Sequence, residues 1–169
     1  TIEDPGVTFD LAMHVGTALA VALYFRDEFF LMLRDSYKVL FGVNRGSVQL
    51  TEEQKKHWFF SWNLGVATLV TVLLALPLKP LAETYGRSPG LIAFNLAFFG
   101  LLMAQSDRLK RALPLEYFQG LKDAKKSIFI GVCQTLALFP GVSRSGITIT
   151  AARFLGVTRE ESSRFSFML

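Results

Sequence analysis

The chemistry-bearing residues of this sequence gather in one short stretch, Pro140-Gly141-Val142-Ser143-Arg144-Ser145-Gly146. Arginine presents a planar fork of N–H donors that matches the oxygens of a phosphate or carboxylate. Ser143 and Ser145 put a hydroxyl on either side of it, and Gly141 and Gly146 let the backbone turn tightly and approach a ligand. A short apolar stretch, Ile147 to Val157, interrupted by Arg153, follows at once. A helix starting at about Ser145-Gly146 would aim its unpaired N–H groups and positive dipole end into the same loop. Together these features suit an anion, phosphate before any other. The plainer reading is an ordinary surface turn whose arginine snorkels toward headgroups.

The elements that must position this loop bear on the choice. The chain has 169 residues, 51% of them hydrophobic, with 18 Lys+Arg and 14 Asp+Glu. The charges are clustered, leaving no charge over the 20 residues Phe59 to Leu78, the 19 from Ser88 to Ser106 or the 17 from Ser127 to Ser143. Phe9 to Phe25 is a further run broken only by Asp10. A soluble helix needs a polar stripe for water, and about 17–25 apolar residues cross a bilayer. The pattern excludes a disordered chain and argues against a soluble globule. It predicts an all-α, polytopic integral membrane protein in a single membrane domain, with transmembrane helices at about 9–25, 59–77 and 91–105.

Lys and Arg number six in residues 26–58, two in 79–90 and six in 107–126. This alternation follows the positive-inside rule, so the first and third loops are read as cytoplasmic and 79–90 and the chain start as outward-facing. The net charge of +4 is then topological, and no nucleic-acid partner is inferred from it. Thr51-Glu52-Glu53-Gln54 reads as a capping box opening the second span. Trp58 and Trp62 fall near that end, where aromatic rings favour the water–lipid boundary. Pro77 and Pro80 are expected to stop this helix, Gly42 to Gly46 to form a turn, and Ser88-Pro89 to open the third span. The single cysteine, Cys133, allows no disulfide framework and no cysteine metal site. No signal peptide is visible. Lacking an initial Met and ending at Phe167-Met168-Leu169 within an apolar pattern, the chain is read as a fragment.

Residues 127–157 depart from the spanning pattern. Ser127 to Phe139 is an apolar helix of 13 residues, which at about 1.5 Å each reaches only about 20 Å of a roughly 30 Å hydrocarbon core. Pro140-Gly141 breaks it, and Ile147 to Val157 is equally short. Both lengths fit a re-entrant hairpin that dips into the membrane and returns, followed by the start of a further helix at 159–169. Irregular backbone at that depth is tolerated only where protein or a water-filled cavity surrounds it. An arginine in lipid costs about 2.5–3.5 kcal/mol even on insertion scales, so Arg144 needs a partner. This favours the anion site over the surface turn.

Other candidates have two readings each. His14 and Asp10 share a helix face with Thr17 alongside. They line the cavity, as intramembrane ionisable groups usually do, or form a pair near the headgroups. Gln134 contacts substrate or bonds to the returning half of the hairpin. His57, beside Trp58, is read as interfacial. Gly65, Ala67, Gly100 and Ala104 are read as packing positions that let helices approach. Glu160 and Glu161 follow Thr158 as a first-turn acidic pair.

The stretch Gly131-Val132-Cys133-Gln134-Thr135-Leu136-Ala137-Leu138-Phe139-Pro140-Gly141-Val142-Ser143-Arg144-Ser145-Gly146-Ile147-Thr148 resembles the second signature of the bacterial undecaprenyl-diphosphate phosphatases, the bacitracin-resistance family. The Pro-Gly-x-Ser-Arg-Ser-Gly core and the glutamine nine residues before Ser143 carry the likeness. Phe9-Asp10 through His14, Gly16 and Thr17 to Phe25-Arg26, and Ser166-Phe167 after Glu160-Glu161, are similar to that family too. Helix order matches along essentially the whole chain, and 131–148 is the diagnostic part.

The resemblance implies a multi-pass enzyme of the bacterial cytoplasmic (inner) membrane. It would hydrolyse undecaprenyl diphosphate to the monophosphate and inorganic phosphate, recycling the lipid carrier of cell-wall peptidoglycan synthesis and conferring bacitracin resistance. It also implies two inverted repeats whose re-entrant hairpins meet at a site opening outward. Arg144, Ser143 and Ser145 would be catalytic, with Gln134, Gly141, Gly146 and Thr148 at the substrate and His14 added from the first span. The family's other signature, a Glu-rich helix and a Ser-Ser-Thr-Gly-His loop, is expected before Thr1. It would supply the acid–base groups and the ligands of a divalent cation, Mg or Ca. No metal ligands are assigned within this chain, which by itself is expected to be inactive. The attacking oxygen is either water or a serine.

Three other functions compete with this reading. A transporter or flippase of phosphate or a lipid phosphate uses the same plan of broken helices around a mid-membrane anion site. Acid-phosphatase-like lipid phosphatases need a histidine six residues after a Ser-Arg pair, where this chain has Thr150. A helical scaffold gives no reason for a Pro-Gly break and an arginine inside an apolar run.

Overall fold

A computed structural model describes residues 6–42, 51–86, 88–109 and 124–169; for residues 6–8, 10 and 42 it describes the backbone alone. The expected Gly42–Gly46 turn and most of the 107–126 loop lie outside the described residues. The protein is all-α, as expected. Its helices are α1 (Gly6–Tyr24), α2 (Arg26–Gly42), α3 (Glu52–Tyr85), α4 (Pro89–Asp107), α5 (Ala124–Thr135), α6 (Arg144–Phe154) and α7 (Arg159–Met168). A 3₁₀ turn, Leu136–Leu138, prolongs α5.

Among the described residues, α3 and α4 are long and apolar enough to cross a membrane. Only 11% of the apolar window of each is buried within the molecule, which separates them from the core helices of a soluble protein. The apolar part of α1 is shorter, Leu11–Tyr24. α3 opens as its sequence indicates, with Thr51 Oγ1 accepting from the Gln54 N–H (3.4 Å) and Gln54 Oε1 accepting from the Thr51 N–H (3.1 Å).

Its other end corrects the sequence reading, because α3 runs through Pro77 and Pro80 to Tyr85. Each proline removes one helical hydrogen bond. An apolar medium nevertheless favours continuing the helix over exposing backbone, and neighbouring groups re-satisfy what the proline frees. Hydroxyls turn back onto α3 carbonyls repeatedly: Ser61 to His57, Thr68 to Leu64, Thr71 to Ala67 and Thr84 to Pro80. Such bonds hide polar groups along an otherwise apolar surface.

α5 packs along α3. Gly131 sits so close that a Cβ there would lie 2.6 Å from the Ala67 carbonyl oxygen, and Ala67 is fully buried. Two buried polar groups register the pair, as Ser127 Oγ donates to Asn63 Oδ1 (2.9 Å) and Asn63 Nδ2 donates to the Phe59 carbonyl (2.9 Å). Ala67 is thus a packing position as read, whereas Gly65 and Gly100 have open space beside them among the described residues. The small core joins Phe60, Leu64 and Ala67 of α3 to Ile130, Ala151, Ala152, Val157 and Phe165, with Phe60 edge-on to Phe165.

Candidate functional site

The chain reverses between Phe139 and Ser143, and α5 and α6 pack against each other as a hairpin. At about 1.5 Å per residue neither helix reaches across a hydrocarbon core of roughly 30 Å. The turn is held by α4. Asn95 Nδ2 donates to the Pro140 carbonyl (2.9 Å), and Gly141 adopts φ +90° with its α-carbon pressed on α4. A Cβ on Gly141 would lie 2.6 Å from the Ile92 carbonyl oxygen. The glycine freedom inferred for ligand approach therefore serves the approach of a helix. Asn95 was missed in the sequence reading, although it is the one amide in the apolar body of its run, Leu91 to Ala104.

α6 starts at Arg144, with Ser143 as its N-cap accepting from the Gly146 N–H (3.1 Å). Gly146 packs directly under that serine, a Cβ there lying 3.1 Å from Ser143 Cβ. Ser143, Gly141 and Gly146 border a small cavity of about 190 Å³ against Leu96, Phe99 and Met103 of α4. Arg144 and Ser145 border a different and larger one, of about 580 Å³, between α1, α6 and α7. Its walls include His14, Thr17 and Val21 of α1 and Ser166 and Phe167 of α7. The structure thus brings Arg144, Ser145 and His14 together and turns Ser143 toward α4, its Oγ still 3.4 Å from Ser145 Oγ.

Arg144 is exposed, and no hydrogen bond or ion pair among the described residues engages its guanidinium. Thr148 is buried and occupied with structure. Its hydroxyl bonds the carbonyls of Arg144 (3.0 Å) and Ser145 (3.1 Å) and meets Ser166 Oγ at 2.5 Å. Gln134 is buried on α5, and its Oε1 has no hydrogen-bond partner among the described residues. The side chain of Asp10 lies outside the described structure.

Ser166 enters the sequence pattern only through the family likeness. The signal for its role is the hydroxyl repeat Thr158, Ser162, Ser166 at four-residue spacing, a small polar stripe on which α6 can seat. Ser162 is fully buried and Ser166 nearly so.

The far end of α6 is locked. Gly156 takes φ +90° and closes the helix, with the Val157 N–H reaching the Ala152 carbonyl (3.1 Å). Arg153 is buried there and donates to the carbonyls of Val157 (2.8 Å), Leu109 (2.8 Å) and Asp107 (3.4 Å). Arg159 of α7 grips the Asp107 carboxylate through Nε (2.8 Å) and Nη2. Two arginines therefore fasten this end to α4, whereas Arg144, without a partner among the described residues, stands at the turn.

Fold and site define a helical membrane protein with a hairpin-borne cation facing a cavity. The family model described as bacitracin resistance protein BacA matches residues 1–169, and the chain belongs to that family. It is a family of undecaprenyl-pyrophosphate phosphatases, which makes this a hydrolase-family membrane protein associated with bacitracin resistance; the transporter reading gains no support from the match. No solved structure matches the chain.

Among the described residues no group of three or more His, Cys, Asp or Glu is placed to hold a metal ion. The described lining of the Arg144 cavity contains one imidazole and no side-chain carboxylate. These residues do not by themselves fit a divalent cation.

Proposed function

We propose that this chain carries the phosphate-binding half-site of an enzyme that converts undecaprenyl diphosphate to undecaprenyl phosphate and inorganic phosphate. That activity would return the lipid carrier to cell-wall synthesis at the bacterial inner membrane. The observation that carries the proposal is Arg144: a cation without a protein partner among the described residues, at a helix N-terminus, on a cavity shared with His14 and Ser145. Hairpin lengths and apolar surroundings support a re-entrant placement opening to the outer side.

In the proposed reaction the terminal phosphoryl group passes to water. Its three equatorial oxygens carry the charge that must be stabilised, so positioning and electrostatics dominate. Arg144 stabilises that charge by donating from its planar fork, and the dipole of α6 adds to the stabilisation. Ser145 donates a hydroxyl from the same rim, and His14 faces the cavity from α1. Ser143, by capping α6, sets the direction of Arg144. Thr148 steadies the first turn of α6 through the Arg144 and Ser145 carbonyls, and Gln134 offers an amide from α5. The divalent cation, Mg or Ca, belongs to the proposal by family resemblance alone.

The test is phosphate release from a prenyl diphosphate by the intact protein in detergent. Release that is lost in Arg144→Ala while the protein stays folded is the expected result. Unchanged release in that variant defeats the proposal, and lipid movement without phosphate release would restore the transporter reading.

A further inference from the structure

Helix α2 presents an apolar stripe that none of the described residues covers. Phe30, Leu33, Tyr37, Leu40 and Phe41 are each more than half exposed, and their spacing places them on one helical face. The opposite face buries Met32 and Asp35 against α3. The acidic groups follow this division. Asp35 is fully buried, with His57 Nδ1 at 2.7 Å and Arg34 Nε at 3.1 Å, and Glu28 pairs with Arg164 of α7 (2.7 Å). The remaining acid, Asp27, is matched by its neighbour Arg26 (3.6 Å). Arg34 and Lys38 flank the stripe on one side, Arg26 falls within it, and no unmatched carboxylate is left on that face.

The depth of this helix is set by the same contacts. Asp35 bonds His57, the residue before Trp58, and the rings of Trp58 and Trp62 lie 6.1 Å apart where α3 turns apolar. Indole rings prefer the headgroup boundary. A helix fastened at that level, with an outward Phe/Leu/Tyr stripe and a basic margin, has the composition of one that lies within the interface. A long basic side chain beside such a stripe keeps its stem in the apolar layer and its charge at the headgroups.

We propose that α2 is an interfacial helix seated in the leaflet at the N-terminal end of α3, and that its partner is anionic phospholipid. The stripe enters the upper acyl region, Arg26 and Lys38 meet headgroup phosphates, and the Asp35–His57 contact anchors the helix to the span. The surface lies apart from the Arg144 cavity and does not rest on the phosphatase reading.

The test places single nitroxide labels at Phe30→Cys, Leu33→Cys, Tyr37→Cys and, on the basic margin, Lys38→Cys, in the intact protein with Cys133→Ser. Proteins go into nanodiscs of phosphatidylcholine alone or with phosphatidylglycerol. The first three labels should be relaxed more by oxygen than by a water-soluble nickel chelate, with the order reversed at 38. Immersion at 30, 33 and 37 should deepen with phosphatidylglycerol, and Arg26→Gln with Lys38→Gln should abolish that difference. Labels at 30, 33 and 37 that are equally open to the nickel chelate overturn the proposal, because water then covers the stripe. Labels shielded from both reagents overturn it too, because protein then covers it. Immersion indifferent to phosphatidylglycerol rejects the anionic partner.

Discussion

Arg144 and Arg153 stand at opposite ends of α6, and the fold treats them in opposite ways. Arg153 is buried among three backbone carbonyls at the helix C-terminus, where a cation is favoured and where α4, α6 and α7 meet. Arg144 stands at the N-terminus, where the helix dipole disfavours a cation, and has no protein partner among the described residues. A charge that satisfies carbonyls is structural. A charge held where the helix end repels it makes sense when an anion completes the site. The difference separates two arginines that look alike in the sequence.

Substitutions can break or sharpen this contrast. Arg144→Ala should have the largest effect, lowering kcat/KM for prenyl diphosphate hydrolysis by about 10²–10³-fold or more with little change in thermal stability in detergent. Arg144→Lys keeps the charge and loses the fork, so it should recover only part of that activity. Arg153→Met should do the reverse. With the buried Val157 carbonyl and the buried guanidinium stem losing their contacts, it should cost about 1–3 kcal/mol of stability, while the folded fraction keeps its rate. Thermal unfolding and rate per folded molecule, measured on the same samples, distinguish the two outcomes.

Gly141→Ala tests the hold of α4 on the turn. A side chain at φ +90°, directed at the Ile92 carbonyl, should cost about 1–3 kcal/mol and lower activity by displacing the loop. Ser143→Ala removes a helix cap and should cost about 1 kcal/mol, read as a lowered Tm.

The smallest effect concerns acid. Burial pushes the Asp35 carboxyl up, but hydrogen bonds from His57 and Arg34 outweigh it and hold Asp35 below its ordinary value. Its contribution is therefore complete above the unfolded pKa, about 3.9, and is lost as pH falls through the lower folded pKa. Asp35→Asn should flatten that acid limb of the stability profile.

Local patterns made much of the fold legible. Uncharged runs marked α3 and α4, Thr51 and Gln54 marked the start of α3, and two half-length apolar stretches around Pro140-Gly141 marked the hairpin. The end of α3 was misread because proline's local preference was weighed without the apolar medium, which keeps Pro77 and Pro80 helical. In the site, Arg144 and Ser145 were legible as chemistry, and His14 joined them across α1. Contacts between distant residues left no local trace. Asn95 holding the Pro140 carbonyl, Asp35 bonding His57 and Arg153 reaching Leu109 are such cases. The purpose of Gly141 was hidden for the same reason, since its close neighbour is α4.

Ligand-induced stabilisation reads the role of Arg144 directly, because a ligand that binds only the folded state raises its apparent stability with the logarithm of its concentration relative to Kd. Inorganic pyrophosphate titrated into the intact protein should raise Tm in wild type and in Arg153→Met, from its lower starting point, and leave Arg144→Ala unmoved. An equal rise in Arg144→Ala would show that the anion binds elsewhere and contradict the account.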